Sequence, residues 1–119
     1  MKVLIVDDSK AMRMIVGRTL RQAGFKQCVV ADAADGKEAL AAITASPPDL
    51  VLSDWNMPNM TGIELLQAIK QAGLAVKFGF VTSEGTPEMR ARAHEAGALF
   101  LIAKPFTPET FESALRGLL

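Results

Sequence analysis

Lys2-Val3-Leu4-Ile5-Val6-Asp7-Asp8-Ser9 opens the chain with a short β-rich run, two carboxylates and a helix-capping serine. An apolar run of this length, cut off by charge, reads as a buried strand with polar groups at its carboxyl end. Helical spacing follows. Met12, Ile15, Val16, Thr19, Leu20 and Ala23 fall at i, i+3, i+4, i+7, i+8 and i+11, one face of a helix closed by Gly24. Asp8 and Ser9 are both candidates for its N-cap.

The same alternation recurs along the chain. Gln27–Ala31, Asp49–Ser53, Lys77–Thr82 and Leu99–Ile102 read as four further buried strands, rich in Val, Leu, Ile and Phe. Leu40 and Ile43 mark a second helix ending before Pro47-Pro48, and Gly62, Leu65, Leu66 and Ile69 a third closed by Gly73. Phe111, Ala114, Leu115 and Leu118 mark the last. The fourth, Pro87–Ala96, offers only Met89 and alanines to a core, so it should be held less firmly. A strand–helix unit repeated five times calls for an α/β fold, a parallel sheet with helices on both faces.

The length of 119 residues fits one domain, and thirteen basic residues balance thirteen acidic ones without a basic stripe. No nucleic-acid partner is expected. The apolar runs fall short of the roughly 20 residues that cross a bilayer, and Met1-Lys2 leads too abruptly into the strand for a signal peptide. With Cys28 as the sole cysteine, a cytoplasmic location without membrane insertion is expected.

In such a sheet, groups that do chemistry collect outside the carboxyl ends of the strands. Asp7 and Asp8 follow the first strand, Asp54 the third, Thr82 ends the fourth and Lys104 comes just after the fifth. Two carboxylates about 4 Å apart repel by roughly 4 kcal/mol at an effective dielectric near 20, so three in one crevice need a cation or protons. Oxygen ligands of this kind suit Mg²⁺, with Mn²⁺ as an alternative, whereas His94 and Cys28 stand alone and exclude a zinc set. A carboxylate beside Mg²⁺, faced by a lysine and a hydroxyl, makes a phosphoryl-transfer site. Asp54 is then the nucleophile that forms an acyl phosphate, with Lys104 neutralising charge and Thr82 donating a hydrogen bond.

At this point the chain resembles the receiver domains of two-component response regulators, in particular the stand-alone chemotaxis regulators. The resemblance covers essentially the whole chain. It rests on Val6-Asp7-Asp8-Ser9, on Ser53-Asp54-Trp55-Asn56-Met57-Pro58-Asn59-Met60 continuing to Gly62, on Val81-Thr82, and on Lys104-Pro105-Phe106. It implies a single flavodoxin-like, doubly wound (βα)5 domain over residues 1–119 with strand order 2-1-3-4-5 and no output domain. It implies Asp54 as phosphoacceptor, Asp8, Asp54 and the Asn56 backbone carbonyl as direct Mg²⁺ ligands, and Asp7 acting through water. Thr82 and Lys104 match the hydroxyl and lysine that contact the phosphoryl group. The Lys104–Pro105 bond is expected cis, an isomer only modestly uphill before proline. Asn56 and Glu84 occupy the two positions that tune phosphate lifetime, implying a short-lived acyl phosphate.

The implied partners are a histidine kinase as phosphodonor and a downstream protein target, such as the flagellar motor switch, for a monomeric signalling domain. It would catalyse only its own phosphorylation and dephosphorylation. Leu101 departs from the pattern, which has an aromatic three residues before the lysine. Phe100 should face the other side of the sheet. Coupling from Thr82 to an output surface would then use Leu101 packing, the Phe80 region or the alanine-rich fourth helix. The domain could instead be a phosphate sink or relay receiver. A metal-dependent phosphohydrolase is the rival of another class, but Asn56 stands where its second acid would be. A nucleotide-binding module is disfavoured, since neither GxGxxG nor a P-loop motif is present. Trp55 reads as a half-exposed loop aromatic and His94 as a surface helix residue. Cys28 reads as a small, buried or half-buried apolar residue. Arg13 and Met14 are candidates for a kinase or phosphatase docking face.

Overall fold

The first strand, β1, spans Lys2–Val6, and its Val3, Leu4, Ile5 and Val6 are all buried. A computed structural model describes residues 1–118. After β1 come α1 (Lys10–Gln22), β2 (Val29–Ala33), α2 (Gly36–Ala45), β3 (Leu50–Ser53), α3 (Gly62–Gln71), β4 (Lys77–Thr82), α4 (Pro87–Ala96), β5 (Phe100–Ala103) and α5 (Pro108–Leu115). Every strand pairing is parallel, and the order is β2-β1-β3-β4-β5. This is the doubly wound arrangement that the alternation implies. Among the described residues no helix is long and apolar enough to cross a membrane.

Alternation along each strand divides the interior into two cores. Leu4, Val6, Val51, Phe78, Phe80 and Leu101 face α2, α3 and α4, while Val3, Ile5, Leu50, Leu52, Val81 and Ile102 face α1 and α5. Phe100 packs on the second core, opposite Leu101, as strand alternation requires. It lies across Gly79, where a Cβ would approach the ring to 2.1 Å, so a side chain there would have to displace Phe100.

β3 and β5 each begin one residue later than expected, at Leu50 and Phe100, β5 runs on to Ala103, and Leu118 lies beyond the end of α5. Three other expectations need larger correction. First, β2 begins at Val29 instead of Gln27 and runs on through Asp32 to Ala33. Its register places Lys2 beside Val29 and Val6 beside Ala33, and a turn over Phe25–Cys28 absorbs the preceding residues. Second, β2 is not buried. It is an edge strand with Val29 66% exposed, which is why an aspartate is tolerated within it. Third, Ile15 on α1 is 43% exposed, and Gly17 takes its place on the buried face, against Ile5. A glycine carries no signal in an apolar pattern. By contrast α4 buries as little as its alanines imply, with Ala93 its only buried residue.

Candidate functional site

Helix N-termini and strand ends meet at one edge of the sheet. Ser9 caps α1 by accepting from the Met12 N–H, which fixes the loop carrying Asp7 and Asp8. At the end of β3 the Asp54 N–H donates to the Val6 carbonyl at 2.8 Å, bringing the third acid beside the first two. Carboxylate oxygens of Asp7, Asp8 and Asp54 all lie within 4.8 Å of one another. Gly62 permits the close turn behind them, because a Cβ there would stand 2.2 Å from the Asp54 carbonyl oxygen and 2.8 Å from the Phe80 ring.

Lys104 reaches in from the end of β5. Its Nζ lies 3.1 Å from Asp7 Oδ2 and 3.5 Å from Asp54 Oδ2, with the lysine side chain 18% exposed. Asp7 is buried and also accepts from the Ser9 N–H at 2.9 Å, whereas Asp8 is exposed. Asp54 accepts from the Trp55 N–H at 2.7 Å through its other oxygen. Burial raises the Asp54 carboxyl above its ordinary pKa; Lys104 and the Trp55 N–H oppose this and Asp7 reinforces it. Thr82 is fully buried at the end of β4, its hydroxyl accepting from the Glu84 N–H at 3.4 Å. Glu84 in turn accepts from the Asn56 side-chain amide at 3.3 Å, joining the loops that follow β3 and β4. The Lys104–Pro105 peptide is cis.

The structure thus gathers Asp7, Asp8, Asp54, Asn56, Thr82, Glu84 and Lys104 at one end of the sheet. Trp55 differs from expectation. It is only 4% exposed, stacks on Phe80 at 4.6 Å between ring centroids, and carries the Arg92 guanidinium of α4 over its face at 5.4 Å. Arg90, also on α4, donates to the Gly85 and Leu101 carbonyls. Leu101 itself is buried in the core that contains Trp55 and Phe80. Neither arginine was legible, because an exposed helical arginine gives no sign of which strand it will reach. His94 is exposed on α4 and Cys28 half-buried, as read from the sequence. Met14 is 59% exposed, but the Arg13 side chain is turned inward and only 14% exposed.

Oxygen donors with no histidine or thiol among them suit a hard divalent cation, and the spacing of the three carboxylates fits one ion. The profile of the response regulator receiver domain family matches residues 3–116. The chain belongs to that family. This receiver domain is 40% identical to the probable chemotaxis protein CheY of Rhizobium etli over 116 residues, 96% of this chain and 88% of the relative. It is 37% identical to the chemotaxis protein CheY of Pseudomonas aeruginosa over 117 residues, 97% of this chain and 93% of the relative. Among solved structures, Vibrio cholerae CheY4 superposes with a TM-score of 0.85 at 39% identity, covering 99% of this chain and 98% of that one. The NarL receiver domain of Mycobacterium tuberculosis gives 0.85 at 29% identity, over 96% and 91%. It is a receiver closely related to the CheY regulators, with a fold shared across the family.

Proposed function

We propose that this receiver takes a phosphoryl group from a histidine kinase onto Asp54 and, so modified, changes its affinity for a downstream protein, acting as a chemotaxis regulator. The observation that carries the reading is the convergence of Asp54, Lys104 and two further carboxylates within one crevice. Asp8, Asp54 and the Asn56 backbone carbonyl would hold Mg²⁺ directly, with Asp7 engaged through water. Bound there, the ion supplies charge neutralisation for the transferred group.

One Asp54 carboxylate oxygen attacks phosphorus, an O–P bond forms, and the bond from phosphorus to the donor nitrogen breaks. Trp55 N–H and Lys104 hold the two oxygens of Asp54 apart and oriented. Lys104 and the Thr82 hydroxyl then meet the phosphoryl oxygens. Dephosphorylation is attack of water on the same phosphorus, returning the carboxylate and releasing inorganic phosphate. Asn56 and Glu84, joined by a hydrogen bond of 3.3 Å, would govern access of that water, and their match to the family's tuning positions supports a brief acyl phosphate.

Incubation with Mg²⁺ and a small acyl-phosphate donor should add one labile phosphate by intact mass, absent in Asp54→Asn. An unchanged adduct in that variant would remove the assignment. A phosphate-sink role has one observation in its favour: Leu101 stands where receivers carry a rotating aromatic. Partner capture with and without phosphate separates the two roles, since a sink shows no phosphate-dependent partner.

A further inference from the structure

Arg13 lies in the second turn of α1, and its guanidinium makes two directed hydrogen bonds. Nη1 donates to the Asp7 carbonyl oxygen at 2.7 Å and Nε to Asp32 Oδ2 at 2.8 Å. The first acceptor belongs to the peptide unit that links Asp7 to Asp8. Asp7 has other restraints: its N–H donates to Ala33, and its carboxylate meets Ser9 and Lys104. Asp8 is exposed and takes its direction from the backbone that carries it. Rotation of the Asp7–Asp8 peptide would swing Asp8 away from Asp54, and Arg13 opposes that rotation. Asp32, on the edge strand β2, anchors the arginine from the far side.

We propose that Arg13 is a positioning residue for cation binding, aiming Asp8 into the crevice through the Asp7 carbonyl. The inference rests on the metal-dependent reading above and deepens it. Charge and position make opposite demands here. A guanidinium held against the backbone of the Asp7–Asp8 loop disfavours a nearby cation, so its removal on electrostatic grounds alone would tighten Mg²⁺ binding. Loss of a group that orients ligands instead weakens metal binding by about tenfold or more.

The test is a titration of wild type, Arg13→Ala, Arg13→Lys and Asp32→Ala with MgCl₂ alone, followed by Trp55 fluorescence and calorimetry. Arg13→Ala should bind about tenfold more weakly despite losing a positive charge. Arg13→Lys keeps the charge but, with one ammonium in place of a fork, should recover only part of the affinity. With an acyl-phosphate donor, the Mg²⁺ concentration for half-maximal phosphorylation should rise in step, while the rate at saturating Mg²⁺ returns towards wild type. A merely structural arginine would not produce that separation. Asp32→Ala removes only the anchor and carries the test if Arg13→Ala fails to fold. Equal or tighter binding in the folded variants overturns the proposal. Failure of wild type to bind Mg²⁺ at all overturns the underlying metal-site reading and this inference with it.

Discussion

Asp54→Asn should stabilise the metal-free protein and abolish its stabilisation by Mg²⁺. Asparagine keeps an oxygen to accept the Trp55 N–H bond of 2.7 Å and has nearly the same shape, so packing is spared. What changes is charge. At an effective dielectric near 20, a carboxylate within 4.8 Å of Asp54 repels it by about 3.5 kcal/mol or more. Lys104 at 3.5 Å returns about 4.7 kcal/mol. Lys104 largely offsets the two acids, since the exposed Asp8 is screened, so the net cost comes chiefly from burying the charge. The raised Asp54 pKa states that cost as linkage: the folded protein holds this proton more tightly than the unfolded chain does. Wild-type stability should therefore fall as pH rises through that raised pKa, and the variant should lack this fall. Urea unfolding in EDTA at neutral pH should give a gain of about 1–2 kcal/mol for the variant. At Mg²⁺ ten times its dissociation constant, wild type gains about 1.4 kcal/mol by mass action and the variant close to none. A less stable variant in EDTA, or equal Mg²⁺ stabilisation of both, would refute the electrostatic reasoning.

Phosphorylation requires ionised Asp54, so at limiting Mg²⁺ its rate should drop, as pH falls, at a pH above the ordinary aspartate pKa; a drop at or below that value removes the burial argument. Gly62→Ala should destabilise by about 2–3 kcal/mol in urea unfolding, since its Cβ must displace the Asp54 carbonyl or Phe80; a neutral result means the loop yields freely. Arg92→Ala removes a cation from the Trp55 face, worth about 0.5–1 kcal/mol, and should change the Trp55 emission without loss of fold. An identical spectrum refutes that contact in solution.

The parts of the site legible in the sequence share one property: each lies at the end of a strand, where local pattern alone places it. Asp7, Asp8, Asp54, Thr82 and Lys104 needed only the alternation of strand and helix to be brought together. What escaped depends on contacts across the fold. The exposure of β2 follows from its being outermost in the sheet, and its start from pairing with β1. Trp55 is buried because Phe80 of β4 and Arg92 of α4 close over it, and neither is near it in sequence. Those same contacts bear on the missing aromatic at Leu101. Trp55 bonds Asp54 through its N–H, stacks on Phe80, and meets α4, the helix with a single buried side chain. These contacts form a continuous path from Asp54 to α4, the helix with the fewest buried side chains. Arg90 ties that helix to the Leu101 carbonyl, so the leucine meets α4 through its backbone as well as through the core its side chain shares with Trp55 and Phe80.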